Sequence, residues 1–366
     1  MSGVARMSGL IPALVPLLFL SACLSYPADV THGGPTADDP ALLFAEHFDG
    51  KRFDNPWSPF SMGPTDLLRV ALTRNPWDKS KAPDVAVVPN DGADLTGEQH
   101  SAKITWVGHA TFAIHDGHDV VLTDPHFGYR ALVPARWFPP GIPIEAVPPD
   151  AFAVLSHNHY DHLDAYSVDH LPASMHWFVP RGLADWFRAR ERPNVVELDW
   201  WESVQHGRWT LTCLPAQHWS RRIGQSTNTT LWCSWLLDSG THRYYFAGDT
   251  GYFQGFTEFG KRFDPIDVAM LPIGAYEPRW FMGYQHLDPA QAYQAFQDLG
   301  ARYMLPMHWG TFDLTFEPID EAAREFRQVI DTAGGDPART PVLGIGEGWH
   351  LPPRAEARVA APGSGS

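Results

Sequence analysis

The chain has 366 residues and a formal charge of −15, with 27 basic against 42 acidic side chains. So acidic a surface opposes non-specific contact with nucleic-acid phosphates, and Arg221-Arg222 is too short a basic stretch to offset it, which excludes nucleic acid as a partner. Length alone allows two domains, but polar residues of ligand type spread from His157 to His308 have to converge on one site, so a single catalytic domain over residues 44–352 is expected.

In chain order, residues 1–22 read as a signal peptide: Arg6 precedes an apolar run, 10–20, shorter than the roughly 20 residues a spanning helix needs. Residues 23–43, rich in Pro, Gly, Asp and Thr, read as a tether. Strand-like runs at 103–106, 120–123, 153–156, 177–179, 195–198, 209–214, 231–237, 244–247, 268–271 and 302–305 alternate with helical runs at 183–190, 289–299 and 319–333. The fold class is α/β, in two sheets covered by helices. Residues 353–366, small, polar and Gly/Ser-rich, read as a disordered tail.

The densest chemical signal follows the apolar Phe152-Ala153-Val154-Leu155. Ser156-His157-Asn158-His159-Tyr160-Asp161-His162 packs three imidazoles and a carboxylate into six positions where the chain leaves a strand. Neutral imidazole and ionised carboxylate suit borderline divalent ions such as zinc. His157 and His159 can reach one ion from a tight loop, and Asp161 and His162 can address a second. Three more residues of this type end apolar runs: His218, Asp249 and His308. Asp124, in a Thr-Asp-Pro turn, is placed either to orient a metal-bound imidazole or simply to make the turn. His109, after Gly108, reads as a structural histidine, and Tyr160 and His286 carry no functional signal of their own.

The order His-x-His-x-Asp-His, then His, Asp and His, resembles the metallo-β-lactamase superfamily. Longer stretches resemble one branch of it, the N-acylphosphatidylethanolamine-hydrolysing phospholipase D: Phe53-Asp54-Asn55-Pro56-Trp57, Trp106-Val107-Gly108-His109-Ala110-Thr111, Glu197-Leu198-Asp199-Trp200-Trp201, Pro215-Ala216-Gln217-His218-Trp219, Phe246-Ala247-Gly248-Asp249-Thr250-Gly251-Tyr252 and Pro272-Ile273-Gly274-Ala275-Tyr276-Glu277-Pro278-Arg279-Trp280-Phe281-Met282. The resemblance implies a four-layer αβ/βα sandwich with two Zn2+ per chain. It implies that His157, His159 and His218 hold one ion and Asp161, His162 and His308 the other. Asp249 would bridge them, making Asp161 and Asp249 the catalytic carboxylates. It gives Tyr160 and His286 to substrate contact. The activity it implies is that of a zinc-dependent phosphodiesterase. Two ions about 3.5–4 Å apart would supply a bridging hydroxide that attacks phosphorus, releasing N-acylethanolamine and phosphatidic acid. An acyl-ester, lactone or β-lactam hydrolase on the same scaffold is the alternative, and iron or manganese suits the same ligands. Gln225 and Asp313 stand where animal members are apolar.

Leu20-Ser21-Ala22-Cys23 resembles the lipobox of bacterial lipoproteins, which implies lipidation at Cys23 and anchoring in the cell envelope, at the outer membrane or facing the periplasm. An ordinary secretory signal with an incidental Cys is the other reading. Export would put Cys213 and Cys233 in an oxidising compartment, as a disulfide or as two buried thiols. The partners so implied are a phospholipid substrate and a membrane reached through the anchor. A homodimer is known in the family.

Overall fold

The computed structural model describes residues 39–354. The signal peptide, Cys23 and the tail from residue 355 lie outside them. In chain order the strands are β1 (Lys103–Gly108), β2 (Thr111–Asp116), β3 (Asp119–Thr123), β4 (Phe152–Val154), β5 (His176–Pro180), β6 (Val195–Leu198), β7 (Ser203–His206), β8 (Trp209–Leu214), β9 (Ser234–Asp238), β10 (Arg243–Phe246), β11 (Val268–Pro272), β12 (Tyr303–Met307) and β13 (Gly348–His350). The helices are α1 (Pro64–Leu72), α2 (Ala165–His170), α3 (Ala184–Arg188), α4 (Gly255–Phe263), α5 (Arg279–Met282), α6 (Pro289–Leu299) and α7 (Glu321–Ala333).

Both sheets follow one plan. The first has the order β13-β1-β2-β3-β4-β5-β6 and the second β12-β11-β10-β9-β8-β7. Hairpins make β1, β2 and β3 antiparallel, after which β3 to β6 run parallel. In the second sheet β7 to β10 are antiparallel and β10 to β12 parallel. These directions put the exits of β1, β3 and β4 at one edge of the first sheet, and those of β8, β10, β11 and β12 at one edge of the second. Ligands in α/β folds gather at such carboxyl ends.

Side-chain alternation decides what each face meets. Phe152, Val154 and Phe178 point into a core shared with Leu211, Trp235, Leu237, Tyr244 and Phe246 of the second sheet. Their neighbours Ala153, Trp177 and Val179 point the other way, onto Val168 of α2 and Phe187 of α3. One residue of register therefore separates the sheet-to-sheet layer from the helix-covered layer. On the far side of the second sheet, α4, α6 and α7 bury Phe256, Phe259, Phe296, Phe326 and Ile330 in a helix-covered layer continuous with that core. α6 is well delimited: Asp288 caps its first turn by accepting from the Gln291 N–H, Pro289 opens it, and Gly300 closes it at a φ of 63°.

The expected elements occur with shifted ends. The run at 153–156 stops as strand at Val154: Leu155 still donates to Phe178 O of β5, but the Ser156 N–H goes to Asp124 and Ser156 O accepts from the Cys233 N–H of the other half. The run at 231–237 begins only at Ser234. β2, β7, β13 and four helices have no counterpart in the sequence reading. β2 is buried at all six positions, so its Thr111, His115 and Asp116 break the apolar pattern without facing solvent, and β7 is a polar edge strand. Cys213 and Cys233 are free and buried, so of the two readings the structure has thiols. No helix among the described residues is long and apolar enough to cross a membrane.

Candidate metal centre

Three non-glycine residues at the shared edge have left-handed backbone: His109 (φ 54°), Asp124 (φ 34°) and His308 (φ 62°). Such conformations cost about 1–3 kcal/mol each and persist only where neighbours fix them. Here the His308 N–H donates to His109 O at 3.0 Å, the His109 N–H to Thr311 Oγ1 at 2.8 Å, and the Asp124 N–H to Val154 O at 3.0 Å. Gly248, at a φ of 58°, leads into Asp249; a β-carbon there would lie 2.4 Å from that of Ser156. Only glycine lets the Asp249 exit pass alongside the His157 exit.

The side chains converge in two groups joined by one carboxylate. In the first, His159 Nδ1 lies 2.9 Å from His157 Nε2 and 3.1 Å from His218 Nε2. Asp249 Oδ2 stands 3.8 Å from each of those Nε2 atoms. In the second, Asp161 Oδ2 lies 3.5 Å from His162 Nε2 and 3.4 Å from His308 Nε2. Asp249 reaches this group too, with Oδ2 3.1 Å from His162 Nε2 and Oδ1 3.1 Å from His308 Nε2. The ligand atoms within each group all lie within 4.8 Å of one another.

A ring nitrogen aimed inward requires the other nitrogen to be held. The Asp124 carboxylate does this for the loop: it accepts from the Ser156 N–H at 2.6 Å and hydroxyl at 2.5 Å, and pairs with His162 Nδ1 at 2.6 Å. Ser156 Oγ in turn lies 2.9 Å from His157 Nδ1, and Gln285 O is 3.1 Å from His218 Nδ1. Asp124 therefore touches the ring nitrogen that the orienting reading requires, while its left-handed backbone also makes the turn. His109 corrects the sequence reading. Its buried Nε2 lies 3.0 Å from Asp161 Oδ2, and it belongs to the second group rather than to the general core. The one sequence cue was its place in the Trp106–Thr111 stretch.

His286 is buried against the centre, Nδ1 4.0 Å from Asp249 Oδ2. Tyr160 sits at the rim, half-buried, its hydroxyl accepting from the Ile223 N–H at 3.2 Å and its ring facing the Arg222 guanidinium at 3.9 Å. Gln225, close by, accepts from Asn158 Nδ2 at 3.2 Å, and Asp313 pairs with Lys79.

Burial and charge set the protonation. Burial holds His157 and His218 well below the ordinary imidazole value, and lowers His159 to about 4 and His109 and His286 to about 3. His162 and His308 are also buried, but the carboxylates of Asp249 and Asp161 outweigh burial, raising His162 well above the ordinary value and His308 to about 9. Burial likewise works against the charge on Asp161 and Asp249, and the surrounding imidazoles still hold both far below the usual carboxylate range. His159 Nε2, His162 Nε2, His308 Nε2 and Asp249 Oδ1 are buried and none makes a well-directed hydrogen bond, the 3.1 Å approaches of Asp249 to His162 and His308 included. Orphaned nitrogen and carboxylate ligands converging on two points suit a pair of borderline divalent cations.

Residues 120–309 match the family model described as a β-lactamase superfamily domain. The chain belongs to the metallo-β-lactamase superfamily and is a metal-dependent hydrolase of that fold. Within it, the chain is 36% identical over 310 residues, 77% of its own length and 87% of the relative's, to N-acyl-phosphatidylethanolamine-hydrolyzing phospholipase D 1 of Caenorhabditis elegans. It is 33% identical over 268 residues to the mitochondrial protein of the same name in Saccharomyces cerevisiae, covering 69% of this chain and 57% of that one. Among solved structures it is similar to Igni18, a metallo hydrolase of Ignicoccus hospitalis, with a TM-score of 0.53 at 20% identity over 69% of this chain and all of that one. That last likeness concerns the fold alone.

Proposed function

We propose that the protein is a zinc-dependent phosphodiesterase of phospholipase D type, hydrolysing N-acylphosphatidylethanolamine to N-acylethanolamine and phosphatidic acid. The observation that carries this is Asp249, whose carboxylate stands in both ligand groups at once. The names and identity of the relatives point the same way. His157, His159 and His218 would hold one zinc, Asp161, His162 and His308 the other, and Asp249 would touch both. A zinc pair supplies a water of lowered pKa and positive charge opposite the phosphoryl oxygens. Asp161 and Asp249 contribute two permanent negative charges, held ionised by the imidazoles around them. Asp124 and Ser156 fix the rings of His162 and His157, and His109 fixes Asp161. His286, neutral and beside Asp249, and Tyr160, at the rim, are placed to meet the phosphodiester. The water oxygen becomes bonded to phosphorus, the bond from phosphorus to the ethanolamide oxygen breaks, and that oxygen leaves with a proton. The signal-like residues 1–22 and the lipobox-like Cys23 support an envelope lipoprotein acting at a membrane.

The test is to incubate the full chain, loaded with two equivalents of zinc in detergent, with N-acylphosphatidylethanolamine in water enriched in heavy oxygen. Mass spectrometry should find heavy oxygen in phosphatidic acid and none in N-acylethanolamine. Release of free fatty acid, or turnover confined to esters and lactones, would move the substrate to the acyl class.

A further inference from the structure

We propose that Arg222 sets the charge preference of this site, favouring phosphodiesters whose head group carries no positive charge; this rests on the phosphodiesterase reading. The segment leaving β8 beyond His218 is stitched onto the ligand loop. The Arg221 N–H donates to Asn158 Oδ1 at 2.8 Å, and Arg222 Nη1 donates to Asn158 O at 2.8 Å and Leu163 O at 2.9 Å. Asn158 lies between His157 and His159, and Leu163 follows His162, so one guanidinium nitrogen spans the loop that bears four of the ligand-type residues. The flat face of the same group covers the Tyr160 ring at 3.9 Å.

The guanidinium is half-buried, also faces the Trp186 ring at 5.6 Å, and among the described residues forms no ion pair with a carboxylate. Asp161 and Asp164 act on it only from farther away, and Asp161 is taken up by His109, His162 and His308. Lys79, by contrast, is neutralised by Asp313. A fixed positive charge thus stands beside Tyr160 on a protein whose net charge is −15. Acylating the nitrogen of a phosphatidylethanolamine removes its ammonium charge and leaves the phosphodiester with a net charge of minus one. An unacylated head group brings its ammonium to the same rim. The phosphate is common to both lipids, so the difference is the repulsion between that ammonium and one half-desolvated guanidinium, roughly tenfold in selection.

The experiment compares kcat/KM on N-acylphosphatidylethanolamine and on phosphatidylethanolamine, in micelles of one neutral detergent, for the zinc-loaded full chain, Arg222→Gln and Arg222→Lys, with zinc content and Tm recorded for each. In Arg222→Gln the ratio should fall by about tenfold. In Arg222→Lys it should stay within about threefold of the parent while kcat drops, because an ammonium keeps the charge but not the flat face over the Tyr160 ring. A ratio unchanged in Arg222→Gln, with zinc content intact, overturns the proposal. If that variant does not fold, the parent decides: its ratio should shrink as ionic strength rises, and a salt-independent ratio overturns the proposal. Should the parent cleave neither lipid, the phospholipase reading fails, and the same variants are judged on one anionic and one cationic 4-nitrophenyl ester.

Discussion

Among the described residues, polar clusters at opposite edges of the sheets centre on Asp116 and on Asp249, and they differ in how their polar atoms are satisfied. At the edge away from the candidate centre, Asp116 Oδ2 accepts from the Ser239 hydroxyl at 2.7 Å and the Tyr244 hydroxyl at 3.0 Å and meets His242 Nδ1 at 3.1 Å, while Arg208 stands 3.5 Å from Oδ1. Both of its oxygens have partners. At the other edge, Asp249 Oδ1 and the inward nitrogens of His162 and His308 make no well-directed hydrogen bond, although the carboxylate comes within 3.1 Å of both nitrogens. Each centres on a buried aspartate with histidine beside it, although Arg208 and His242 of the first cluster reach solvent. Satisfaction separates them: a closed network fastens two sheets together, whereas an open one is shaped for something it does not contain.

Exchanging a carboxylate for its amide at each cluster should break the likeness most sharply. Asp249→Asn is expected to reduce hydrolysis by about 10³-fold or more and to lower the Tm of metal-free protein, since it removes the carboxylate that offsets the buried imidazoles of His162 and His308. Steady-state rates and calorimetry would show this, and a near-parental rate would remove Asp249 from the mechanism. Asp124→Asn, one contact farther out, should weaken zinc affinity by about 10–100-fold, read by chelator competition. Asp116→Asn should leave kcat/KM unchanged and lower stability by about 1–2 kcal/mol near neutral pH, measured by urea unfolding.

The Asp116 effect has a defined pH window. Burial pushes its carboxyl up, but the hydrogen bonds from His242 and Ser239 and the Arg208 charge outweigh burial and hold it at about 2, against 3.8 for the free side chain. A lowered carboxylate pKa means stabilisation that is complete above about pH 4 and drains away as the pH falls through about 2. The parent's acid-unfolding curve should therefore be steeper across that interval than the variant's.

The two clusters were also unequally legible in the sequence. Four ligand-type residues of the open one lie within six positions, and the other three each close an apolar run, so density and strand exits betray them. The closed one joins Asp116 to Ser239, His242 and Tyr244 across more than a hundred positions, and each of these residues taken singly is an ordinary polar side chain. His109 failed to stand out for the same reason: one histidine after a glycine has no spacing, and its partner Asp161 is brought to it only by the pairing of β1 with the rest of the sheet. Arg222 was read only as half of a short basic pair. Its reach to Asn158 O and Leu163 O depends on where the β8 exit lands, which no local pattern encodes. Strand runs with clean apolar character were visible, and the fully buried β2 and the Gly-containing α4 were not, because burial on both faces and glycine each erase the periodicity that reveals an element.

The shared position of Asp249 makes the tolerance of this edge to mutation lopsided. Losing His218 leaves the second group intact, and losing His162 leaves the first. A change at Asp249 touches both groups at once, so no second substitution in a single group can restore it. That isolates Asp249 among the ligand-type positions around the centre. The glycine before it shares that isolation, since the only residue that fits beside Ser156 is the one without a side chain.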